Sequence, residues 1–128
     1  MIGLILLAAI GTADRVPTRT DIDQAYSIWR SADSEYHECI REQSSRLDDG
    51  KSDIAVVAKA AVFACNSKKD VYLKSGALWA GLNSGNRDPT FLRGVMIGLS
   101  KIADKLIAEV PTMVLEHRAQ IRENDAQN

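Results

Sequence analysis

The sequence predicts an all-α fold: a disulfide-linked helical hairpin followed by a long third helix, a three-helix bundle that becomes four if the second helix breaks at Gly76. Three observations lead there. Apolar residues recur at helical spacing over most of the 128 residues. Clusters of turn-forming residues interrupt that pattern only twice beyond residue 20. The two cysteines, Cys39 and Cys65, fall on either side of the first interruption.

The chain opens with the apolar, uncharged run Met1-Ile-Gly-Leu-Ile-Leu-Leu-Ala-Ala-Ile10, followed by the small-x-small triplet Gly11-Thr-Ala13. Residues 1–13 read as a signal peptide with Asp14 beginning the mature chain, since a bilayer span takes roughly 20 apolar residues. No Lys or Arg precedes the apolar run. The competing readings are a buried N-terminal helix and an uncleaved anchor. Residues 14–19 are expected to be extended, 20–122 to form a single helical domain, and 123–128 to fray.

The first helix is expected from Thr20 or Asp21, where Thr20-x-x-Asp23 is a capping signal, to about Leu47. At ~100° per residue, Ile22, Ala25, Trp29, Ala32, Tyr36, Ile40 and Leu47 share one sector, opposite Arg30, Glu35, Glu38, Arg41 and Glu42. Leu47-Asp-Asp-Gly50-Lys-Ser-Asp53 is the turn, and Ser52 or Asp53 can cap the next helix. The second helix is expected from Asp53 to around Leu82, with a main stripe of Ile54, Val57, Ala58, Ala61, Cys65, Tyr72 and Trp79. Val56 and Phe63 point the other way, so this helix reads as a middle layer, and Ser75-Gly76 is where it would bend or break.

Asn83-Ser-Gly-Asn-Arg87 is a loop, and Asp88-Pro89 is a strong helix start, with Asp at the N-cap and Pro in the first turn. The third helix places Leu92, Val95, Met96, Leu99, Ile102, Ala103, Leu106, Val110, Met113, Val114 and Ile121 on one face. Pro111 interrupts the backbone bonding but not the phase of the stripe, which predicts a kink rather than an end. Gly94-x-x-x-Gly98 is expected to admit close packing within the molecule, because Arg93, Lys101 and Lys105 argue against a membrane setting.

With a rise of ~1.5 Å per residue, Cys39 lies about 12 Å before the end of its helix and Cys65 about 18 Å after the start of the next. The two cysteines are therefore within roughly one turn of the same height and can pair across the hairpin. Such a bond would stabilise the fold by about 3 to 4 kcal/mol. The formal net charge is −1 with acidic and basic residues interspersed, so neither nucleic acid nor an anionic membrane surface is indicated as a partner.

Tyr36-His-Glu-Cys39 near the end of one helix, followed by Ala64-Cys65 on an Ala-rich helix, resembles small two-cysteine helical proteins exported by Gram-negative bacteria. The resemblance spans roughly residues 20–75. It implies the disulfide and a periplasmic or secreted location, and it carries no activity, ligand or catalytic residue.

No Gly-rich phosphate loop, His-Glu-x-x-His or Cys-x-x-Cys occurs in the sequence. His37, Glu38 and Cys39 are neighbours in sequence but point in different directions on a helix, so they do not form a metal site. His117 falls on the apolar stripe of the third helix and reads as a packing residue. Asp33, at the edge of the first stripe, and Lys68, which interrupts the second, form a candidate buried contact. Val56, Phe63, Ile97 and Leu115 lie outside the core stripes and form a candidate partner surface. No catalytic residues, metal or cofactor are assigned. The reading is a non-enzymatic exported module that binds a protein partner or a second copy of itself. The alternative is a small-ligand or lipid carrier using the aromatics Trp29, Tyr36, Tyr72 and Trp79 between the helices.

Overall fold

The computed structural model describes residues 15–128; the expected export segment, residues 1–13, lies outside them. The described chain is all-α, with four helices: α1 (Arg19–Arg46), α2 (Ile54–Ala64), α3 (Asn66–Ser84) and α4 (Pro89–Gln127). None is long and apolar enough to cross a membrane.

Helix α1 starts slightly earlier than a cap at Thr20 would set it. Thr18 is the N-cap, and its hydroxyl accepts from the Asp21 N–H while the Asp21 carboxylate accepts from the Thr18 N–H. This reciprocal arrangement satisfies two end donors. Asp53 caps α2 by accepting from Ala55 N–H at 2.8 Å, and Asp88 caps α4 by accepting from Thr90 N–H at 2.7 Å. Gly50 and Gly85 close the two turns at φ 74° and 67°, a backbone region that costs glycine little. Helix α4 runs through Pro111 and on to Gln127, past the expected end at Arg122, because no Gly or Pro is present there to stop it.

The second helical segment is two helices, and the break falls at Cys65 rather than Gly76. Cys65 sits at the joint with φ −102° and ψ 9°; its N–H turns to Val62 O at 3.2 Å, and its own carbonyl accepts from Lys69 N–H at 3.0 Å to start α3. Neither Gly nor Pro marks this joint, so its cause is tertiary: both limbs pack against α1 and α4, α3 chiefly along α1 and α2 chiefly along α4. Gly76 stays helical because it is the point of closest approach. A Cβ there would collide with Leu99 Cδ1 and would come within 2.8 Å of Trp29 Nε1.

The core lies between α1, the α2–α3 arm and α4, around the fully buried Tyr36, Ile40, Cys65, Val110 and Val114. Aromatic rings extend it along α1 and α3. Trp29 stacks on Trp79 with centroids 4.9 Å apart, and Tyr36 stacks on Tyr72 at 5.9 Å. Ile102 and Ile121 of α4 are exposed, contrary to the stripe reading; the buried face of α4 is limited to Leu99, Ala103, Val110 and Val114. Gly94 and Gly98 face open space instead of a neighbouring helix.

These glycines give opposite expectations. Gly76→Ala should lower stability by about 1–2 kcal/mol, overpacking against Trp29 outweighing the gain in helix propensity. Gly94→Ala and Gly98→Ala should each raise it by about 0.5–1 kcal/mol. Urea unfolding of the three variants checks the sign at each site.

Candidate interaction surface and the clasp behind it

Cys39 and Cys65 are bonded, with Cα atoms 5.9 Å apart. Cys65 is fully buried and Cys39 partly so. The bond ties the α2–α3 joint to the C-terminal half of α1. On either side of that joint, the solvent-facing line of the arm carries Val56 and Phe63 on α2, then Val71 and Leu78 on α3. Their relative exposures are 61%, 78%, 51% and 41%. A helix that is apolar on both its inner and outer faces normally has protein on both. α2 has one charged residue, Lys59, in eleven.

The other two residues of the expected partner surface, Ile97 and Leu115, are also exposed but belong to α4. Sequence reasoning missed Val71 and Leu78. The signal was present, since each lies seven or eight residues from an apolar neighbour on the same outer line.

Behind α2, an ion-pair clasp joins the first turn to the C-terminal half of α4. The Asp48 carboxylate is fully excluded from solvent and accepts from Arg118 Nη2 at 2.8 Å and Nε at 3.0 Å, and from Gly50 N–H at 3.0 Å. Arg118 Nη2 also donates to Ser52 O at 2.6 Å, and His117 Nδ1 lies 3.4 Å from the same carboxylate. The Arg118 guanidinium, with help from Gly50 and His117, outweighs desolvation and lowers the Asp48 pKa to about 2. Asp49 holds the turn itself, accepting from Ser52 Oγ at 2.6 Å and from the Ser52 and Lys51 N–H groups. Those bonds hold its carboxyl well below the usual range. His117 is therefore a partner of a buried carboxylate rather than a packing residue. Beside the clasp, Gly50, Arg118, Ile121 and Arg122 line an open cleft of about 410 Å³.

The expected Asp33–Lys68 contact does not form. Asp33 is taken by its own helix, with Arg30 at 3.6 Å and His37 at 3.3 Å, while Lys68 crosses to Glu35 at 2.8 Å. All of these groups are at least partly exposed, and such pairs contribute at most about 1 kcal/mol. His37 is occupied by this helix contact and by Asp33 O at 2.9 Å. Among the described residues, no three His, Cys, Asp or Glu side chains are placed to hold a metal ion.

The carrier aromatics fill the space between α1 and α3 with one another. Trp29 Nε1 and Tyr36 Oη are buried without a hydrogen-bond partner among the described residues, and burial pushes the Tyr36 phenol up. Comparison of the chain with protein-family models, curated proteins and solved structures finds no match in any of the three.

The clasp predicts an acid limb. Because the folded pKa of Asp48 is depressed, its contribution is present above its ordinary value of 3.8 and is lost as pH falls through about 2. Asp48→Asn should lower the urea midpoint at pH 7 and make the decline between those pH values shallower; an unchanged limb would exclude Asp48 as its source. Separately, reducing the Cys39–Cys65 bond, which closes a separation of 26 residues, should cost about 3 to 4 kcal/mol. Urea unfolding with and without reductant measures this.

Proposed function

We propose that the chain works outside the cytoplasm as a disulfide-locked docking module, binding a protein partner through the outer face of the α2–α3 arm. The observation that carries this reading is the line Val56, Phe63, Val71 and Leu78. Leaving a side chain such as Phe63 at 78% exposure forgoes most of the roughly 1.5–3 kcal/mol that its burial would contribute. A partner helix laid along this line would recover it, since residues about seven apart share one face of a helix.

Three features support the location. The cysteine pair suits an oxidising compartment, the opening apolar run ends in a small-x-small triplet, and the resemblance to exported two-cysteine helical proteins points the same way. The carrier alternative gains nothing from the aromatics, whose rings stack on one another at 4.9 to 6.5 Å.

Two measurements test the proposal. Intact mass of protein expressed with its native N-terminus should begin at or near Asp14, with both thiols unreactive until reduction; a full-length product with free thiols would overturn the location. Chemical crosslinking in cells should give higher-mass adducts that Phe63→Asp with Leu78→Asp removes, while the thermal melt by circular dichroism is retained. Adducts unaffected by the double substitution would exclude this face.

A further inference from the structure

The outer line of the α2–α3 arm is complementary to itself. Its four large apolar residues, Val56, Phe63, Val71 and Leu78, are separated by seven, eight and seven positions, a series that reads the same in either direction. Ser67 is the midpoint of both the outer pair and the inner pair, and it is exposed on the same line. We propose that the occupant of this face is a second copy of the chain, packed antiparallel about a two-fold axis at Ser67. This rests on the reading of the face as a docking surface.

Reversing the arm about Ser67 sets Val56 against Leu78 of the second copy and Phe63 against its Val71. Each apolar side chain then meets another, and the small Ser67 lies where the two backbones come closest. An isologous contact of this kind uses one patch twice and closes on itself.

The charges beside the line agree with this arrangement. Lys59 has no ion-pair partner among the described residues, while Asp70 pairs only with Lys74, one turn along its own helix, in an exposed contact at 2.8 Å. Lys59 and Asp70 stand eleven residues apart, about 20° at helical spacing, which puts them on the same flank of the arm. A two-fold axis sets like flank against like flank, so Lys59 approaches Asp70 of the second copy, and the pair forms twice. Lys59 is level with residue 75 of the second copy, five residues or about 7.5 Å of rise from its Asp70, within reach of an extended lysine and a carboxylate.

The test places a photoreactive benzoylphenylalanine at position 63 in the oxidised chain and mixes unlabelled with nitrogen-15-labelled protein. Irradiation should give a covalent dimer in which mixed-label peptides join position 63 to the segment containing Val71. Sedimentation should show Lys59→Glu weakening the dimer about 3- to 10-fold, with Lys59→Glu plus Asp70→Lys restoring it. A chain that stays monomeric at several hundred micromolar, yet crosslinks from position 63 to a different protein in cells, would overturn the second copy and leave the docking face standing. No crosslink from position 63 either in cells or with purified protein would remove both. Crosslinks between copies that reach α4 instead of Val71 would overturn the antiparallel arm pairing.

Discussion

The bond between Cys39 and Cys65 lies at the bend of the second arm, and the placement of the other helices depends on that position. A crosslink within either limb would hold that limb alone. At the joint it anchors the end of α2 and the start of α3 to the same point on α1. Each limb then needs one further attachment to be fixed. α3 finds it where Gly76 lets the Trp29 ring and Leu99 close over its backbone. α2 is held from its other end, because Asp48 and Ser52 in the turn before it are bound by Arg118 of α4. Removing one partner of such a buried pair leaves an uncompensated charge, so the clasp matters more to the position of α2 than a surface ion pair would.

The break at Cys65 leaves the inner face of the arm continuous. Ala61 and Tyr72 are both buried and stand eleven residues apart, about 20° from each other at helical spacing. Only Cys65 is irregular, so the inner stripe stays in phase, and Ala77, on another side of α3, is buried because α3 packs against α4 as well as α1. Ser75-Gly76 carried the local signal for a break. Tertiary packing overrode it, since the missing side chain serves the helix–helix contact instead.

The features legible in the sequence have a common character. The α1 stripe, the Asp53 and Asp88 caps, the Pro89 start and the cysteine pairing are each set by residues within a few turns of one another or by matched heights on a hairpin. The clasp is not of that kind. Asp48 and Arg118 are 70 positions apart, Asp48 looks like any turn acid, and Arg118 sits one position beyond a histidine that drew attention by falling on the apolar stripe. Pairing Asp33 with Lys68 failed for the converse reason. Similar height admits many opposite-charge pairs, and the choice fell to Glu35 because Arg30 and His37 already occupy Asp33 from its own helix. Two of the four surface apolar residues expected from the sequence, Val56 and Phe63, lie on the proposed docking line. Ile97 and Leu115 lie on a different helix, because facing away from a core stripe does not say which outward face a residue joins.

The distribution of side-chain size on α2 bears on its role. The inner side of this helix is lined by Val57, Ala58 and Ala61, while Phe63, the largest apolar side chain it has, is also the most exposed of its large apolar residues. A helix arranged for the stability of one chain would bury the phenylalanine and leave alanine outside, because apolar area removed from water is the main favourable term in folding. Alanine inside has a different use. It lets α2 lie close to α1 beside the disulfide, where Ala61 and Cys65 have no exposed surface at all. The arm is thus tight where it meets its own molecule and bulky where it faces outward. That polarity is what a docking surface requires: a rigid backing that does not yield on binding, and an apolar outer line whose burial is left to the partner.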